Sequence, residues 1–178
     1  GGRIVPSFTR NWMAKRKLTP EPASPGRFDI ATLVVGGAGL VTWAISPSLY
    51  IGGLALTFAG ALHLVRLARW QGWRTAKEPL VLILHLGYFW LALGLLLQGL
   101  AIIVPAVVPA ASGLHAITAG GFGVMTLAVM TRASLGHTGQ PLTATPRISA
   151  IYSLINLAAF VRVAAPFLSE HYVALLAL

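Results

Sequence analysis

From Pro79 to about Val104 the chain runs apolar without a break, longer than the ~20 residues that carry an α-helix across a bilayer. A helix that is apolar all round belongs either in the core of a large protein or in a membrane. Composition decides between the two. Of 178 residues 56% are apolar and 10% charged, against about 25% charged in an ordinary soluble domain, and the mean hydropathy is +0.77. A water-soluble globular domain is excluded. The expected fold is all-α, a polytopic bundle of transmembrane helices whose first partner is the lipid bilayer.

The other apolar runs give the layout. Spans are expected at about 30–46, 49–67, 79–104, 112–131 and 146–165, with a sixth run at 172–178 that is far too short to cross. The chain opens at Gly1 without a methionine and stops inside that last run, so it reads as a fragment of a longer protein. Residues 1–29 carry Arg3, Arg10, Lys15, Arg16, Lys17 and Arg27 among Pro20, Pro22 and Pro25. Proline removes amide donors and pushes its predecessor out of the helical region, so an exposed basic arm is expected there. Gly136 is expected to end the fourth helix in the left-handed conformation and turn His137 back toward the bundle, with Gly139 allowing a second reversal.

The formal charge is +9, yet the basic residues fall between apolar runs rather than along one face, which excludes a nucleic-acid partner. Their distribution gives sidedness instead. The arm and the loops at 66–78 and 132–147 hold nearly all the Lys and Arg, and positive residues are retained in the cytoplasm. The turns near Pro47, Pro105 and Pro166 then face outward. Trp12, Trp70 and Trp73 fall in cytoplasmic-side segments, where an indole keeps its N–H among the headgroups.

The chemistry available inside such a bundle is narrow. There is no cysteine, which removes disulfides, thiolate zinc sites and four-cysteine iron–sulfur clusters. No Gly-x-Ser-x-Gly, Walker loop or His-Glu-x-x-His occurs, and none of the four carboxylates lies mid-span, so paired-carboxylate acid–base catalysis has no basis. Whether the chain is an enzyme stays open. Small residues mark where helices approach: Gly36, Gly37 and Gly39 in the first span, Gly52, Gly53 and Gly60 in the second, Ala116, Gly120 and Gly123 in the fourth. The fourth span is expected to be the most central.

Ionisable groups inside a membrane are costly and mark function. His63 lies one turn before Arg66, and His85 six residues after Pro79, which puts both imidazoles at similar depth in the cytoplasmic half. Two facing imidazoles at one level suit axial ligation of haem iron or a His-rich copper site; each could equally hydrogen-bond a neighbouring carbonyl. His115 and His137 flank the fourth span and are the next candidates. Arg162, toward the outer end of the fifth, either snorkels to the interface or pairs with an anion or haem propionate. Asn156, Ser149 and Ser153 form a polar stripe of the kind that joins helices. Broken, glycine-rich first and fourth spans also fit a transporter or channel domain without a metal cofactor.

Met130-Thr-Arg-Ala-Ser-Leu-Gly-His-Thr-Gly-Gln-Pro-Leu142, directly after the glycine-rich fourth span, resembles the NnrS family of polytopic membrane proteins. The resemblance extends to Gly1-Gly-Arg-Ile-Val-Pro-Ser-Phe-Thr-Arg-Asn11, Leu84-His-Leu-Gly-Tyr-Phe-Trp90 and Leu114-His-Ala-Ile-Thr-Ala-Gly-Gly-Phe-Gly-Val-Met125, nearly the whole chain. The basic residue usual after His-Thr-Gly is Gln140 here. The resemblance implies a haem- and copper-containing protein of the bacterial inner membrane, linked to nitric oxide metabolism and nitrosative stress, of which this chain is the C-terminal half. His63, His85, His115 and His137 are the expected metal or haem ligands, with Arg162 a cofactor contact. His63 and His85 are expected to share one site.

Overall fold

The computed structural model describes residues 2–168; the short run at 172–178 lies outside the described residues. Six helices are present among them: α1 (Ile4–Lys15), α2 (Arg27–Ile45), α3 (Tyr50–Arg69), α4 (Pro79–Ile103), α5 (Ala110–His137) and α6 (Pro146–Ala164). Helices α2 to α6 are the ones long and apolar enough to span a membrane, α6 with the 3₁₀ turn that ends it, so all five expected spans are present. Local chemistry sets their starts. Pro79 and Pro146 occupy the first turns of α4 and α6, where the missing amide would be unpaired in any case. Thr145 Oγ1 accepts from the Ile148 amide at 3.3 Å, and the Gly26 amide donates to Asp29 Oδ2 at 2.9 Å, satisfying orphan donors.

Helix α4 is the hub. Its most apolar window is 61% buried, against 33% for α5, which corrects the expectation that the fourth span is the most central. Small residues on α5 do bring backbones together, but Phe122, Val129 and Met130 of the same helix stay exposed. The closest approaches are between α3 and α4. A Cβ on Gly60 would lie 2.5 Å from the Leu96 amide nitrogen, and one on Gly53 2.9 Å from Ile102 Cβ; contact without side chains between them is how helices pack where lipid offers no hydrophobic drive.

The middle of α5, Ala116–Val124, is π-helical. The widened turn wraps Trp90 of α4: a Cβ on Gly120 would fall 2.5 Å from the indole Cγ. Trp90 Nε1 then donates to Asn156 Oδ1 on α6 at 2.9 Å, so Asn156 of the polar stripe joins two helices, while Ser153 donates to Ser149 O of its own helix.

Two local expectations are overturned. The basic arm is not free: residues 4–15 form α1, whose Val5, Thr9 and Met13 are buried, because Pro6 falls in the first turn, where its missing amide would be unpaired in any case, and the other prolines come after Lys17 and leave one amphipathic stretch able to dock. Gly136 stays helical, and α5 ends instead on Gly139 at φ +67°. Gln140 N–H to Leu135 O at 2.9 Å and Gly139 N–H to Gly136 O at 3.3 Å close a Schellman motif around it. The 28 residues of α5 extend roughly 42 Å, more than the ~30 Å hydrocarbon core, which leaves its last turns outside the apolar layer.

Candidate functional site

Where α1 docks, at the basic end of the bundle, five helical segments converge on a cluster of polar and aromatic side chains. Arg66, one turn before the end of α3, is 3% exposed and Asp29, in the first turn of α2, 6%. Arg66 Nε donates to Asp29 Oδ1 at 2.7 Å, and Nη1 donates to Tyr88 Oη of α4 at 2.8 Å. The guanidinium also lies 5.0 Å from the Trp70 ring centroid, and a Cβ on Gly2 would come within 2.8 Å of Nη2. Desolvating an ion costs several kcal/mol, so a buried pair persists only when its remaining hydrogen-bonding capacity is also met. Here Tyr88 and the Gly26 amide meet it.

His63 joins through Tyr88, with Nδ1 2.6 Å from Oη. Tyr88 Oη accepts from Arg66 and keeps a hydrogen it can donate to Nδ1, while His63 Nε2 lies against Gly36 of α2. His85 sits on the other side of the Trp70–Tyr88 pair. The centroids of those two rings are 4.7 Å apart, and Trp70 meets His85 edge-on at 6.4 Å.

His85 is held on one edge by α1. Nε2 lies 2.7 Å from Thr9 Oγ1 of α1, and that hydroxyl gives its one hydrogen to Val5 O at 2.9 Å. With that hydrogen on Val5 O, the hydroxyl accepts from the imidazole and Nε2 carries the proton. Nδ1 is thereby a bare lone pair, buried and without a partner, in a residue 4% exposed. Gly72 of the 3₁₀ turn Gly72–Thr75 packs on the face of the ring, where any Cβ would collide with it. Gly72 and His85 line a groove of about 320 Å³ whose other walls, Leu64, Leu67, Trp73 and Phe89 among them, are apolar.

The expected site residues are thus distributed unequally. His63 and His85 fall in one cluster, but their hydrogen-bonded nitrogens serve different partners across an aromatic pair. His115 is half-buried at the opposite end of the bundle, with Arg162 of α6 as its charged neighbour. His137 is exposed at the end of α5. No group of three or more His, Asp or Glu close enough to hold a metal occurs among the described residues. Sequence reasoning missed Asp29, Arg66, Tyr88 and Thr9; the one signal was a lone carboxylate at the mouth of the first span.

Five spans around a buried charge pair, with an imidazole lone pair left open beside it, define a multi-pass α-helical membrane protein with a polar site inside the bundle. The family model described as "NnrS protein" matches residues 1–178. The chain belongs to the NnrS family. No curated protein and no solved structure matches it.

Proposed function

We propose that the protein is a haem-binding membrane protein of nitric oxide metabolism or nitrosative-stress response, seated in the bacterial inner membrane with its basic end in the cytoplasm. Family membership supports the nitric oxide connection. The observation that carries the ligand assignment is the unpartnered His85 Nδ1: a buried acceptor left without a hydrogen bond is expensive, and an iron centre would use its lone pair. Bound haem supplies an open coordination position for a diatomic such as nitric oxide.

The chain's own residues do the rest. Thr9 fixes the ring and its tautomer, as outer-shell partners of metal-bound histidines do. The Trp70 edge and the absent side chain of Gly72 set how Nδ1 meets the groove, and the apolar walls keep water from it. The Asp29–Arg66–Tyr88–His63 network ties α2, α3 and α4 behind this surface. A copper centre on several protein ligands does not fit the described residues, which gather no such set.

Reduced and oxidised spectra of the full-length protein test the reading. His85→Ala is expected to lose most of the Soret absorbance while His63→Ala keeps it. A wild-type protein with neither Soret band nor haem iron would remove the haem reading and favour a transporter domain.

A further inference from the structure

On the other face of α1, three hollows join into one crevice. A cleft of about 580 Å³ lies between α1 and the start of α4, lined by Trp12, Lys15, Arg16, Glu78 and Arg132 among others. It shares Phe8, Arg132 and Leu142 with an apolar groove of about 430 Å³. That groove shares Val129 with a third, of about 460 Å³, which runs along the α4–α5 seam past Gly87 and Gly121. The crevice is polar and cationic at one end and, His137 apart, mostly apolar for the rest of its length.

The cationic end is arranged rather than merely charged. Arg132 lies over the Phe8 ring at 4.1 Å and Arg16 over Trp12 at 4.6 Å, which holds both guanidinium groups at the cleft. Neither they nor Lys15 has a carboxylate partner, since Arg66–Asp29 is the ion pair found among the described residues. The Trp12 indole nitrogen has no acceptor and Glu78 Oε1 no donor, and both atoms are buried. Three cations and an unused N–H suit a phosphodiester; the free carboxylate oxygen suits a hydroxyl beside it.

We propose that this crevice is a binding site for an anionic phospholipid of the phosphatidylglycerol type. The phosphate lies on Lys15, Arg16 and Arg132, the glycerol hydroxyls reach Glu78, and one acyl chain follows the apolar groove past Val129. The site is separate from the His85 groove and does not depend on haem.

The test is direct binding to the full-length protein in detergent, with dioctanoyl phosphatidylglycerol, dioctanoyl phosphatidylcholine and inorganic phosphate as probes. Phosphatidylglycerol is expected to bind at least about tenfold more tightly than phosphatidylcholine. Arg132→Gln is expected to lower its affinity about fivefold, and the double variant Lys15→Gln/Arg16→Gln to abolish most of the preference. Val129→Trp, on an exposed position, should weaken both lipids by obstructing the chain groove and leave inorganic phosphate unaffected. The two α1 residues are exposed, so that double variant stays informative should Arg132→Gln fail to fold. Equal affinity for the two lipids would overturn the proposal. So would a preference that survives all three variants, or phosphate binding as tightly as phosphatidylglycerol with no response of the lipid to Val129→Trp, which marks a free-anion site.

Discussion

Arg66 and Arg162 both lie within a turn of the end of an apolar helix, and they meet opposite fates. Arg66 is buried, with Asp29, Tyr88 and Trp70 around it; Arg162 is exposed and makes no ion pair with a described residue. Depth in the bilayer does not separate them. What does is the neighbouring helix: α2 and α4 present a carboxylate and a phenol to Arg66, while the outer end of the bundle leaves a guanidinium to reach for the interface, the behaviour of long basic side chains. An intramembrane charge is held by its partners, and those come from elsewhere in the sequence.

The comparison breaks most visibly at the ion pair. Arg66→Leu leaves Asp29 buried without a counter-charge and is expected to destabilise the protein by about 3–5 kcal/mol, read as a large fall in unfolding temperature in detergent. Arg162→Leu should change it by no more than about 0.5 kcal/mol. Replacing both partners, Asp29→Leu with Arg66→Met, should recover much of the loss, because a buried pair exchanged for apolar groups of similar volume is often neutral. A loss in the double variant equal to the sum of the Asp29→Leu and Arg66→Leu losses would mean that the two residues act independently.

Packing gives the next largest contrast. Gly60→Ala drives a methyl into the backbone of α4 at Leu96 and is expected to cost about 1–3 kcal/mol, whereas Gly37→Ala meets nothing within 4 Å and should be silent. Asn156→Leu strands the Trp90 N–H between α4 and α6; about 1–3 kcal/mol is expected. Sidedness can be checked without any stability measurement: reporter fusions at Arg74, in the 3₁₀ turn before α4, and at Ala110, the first residue of α5, should report opposite sides.

The same contrast explains what could be read from the sequence. The five spans were legible because apolar runs of bilayer length admit few other structures, and their expected limits differ from the helices by a few residues except at α5. The glycines announced close packing but not which helix lies at the centre, since a small residue marks a contact without naming its partner. His63 and His85 were legible by depth. Their azimuths were not, and azimuth sends one ring to Tyr88 and the other to Thr9. Asp29 and Arg66 read as flanking charges because each alone sits at a span's edge; only the fold brings 29 beside 66. The docking of α1 is masked by the basic charge spread over residues 1–29, although Pro6 sits where a helix's first turn tolerates it and the next proline is Pro20.

The proposed haem ligand is His85 through Nδ1, and not His63. The most direct measurement is the Soret band of full-length His85→Gly with and without added imidazole, beside His63→Gly. His85→Gly is expected to lose the band and to regain it with imidazole, while His63→Gly keeps it throughout. A band that persists in His85→Gly, or one lost in His63→Gly and restored there by imidazole, would contradict it.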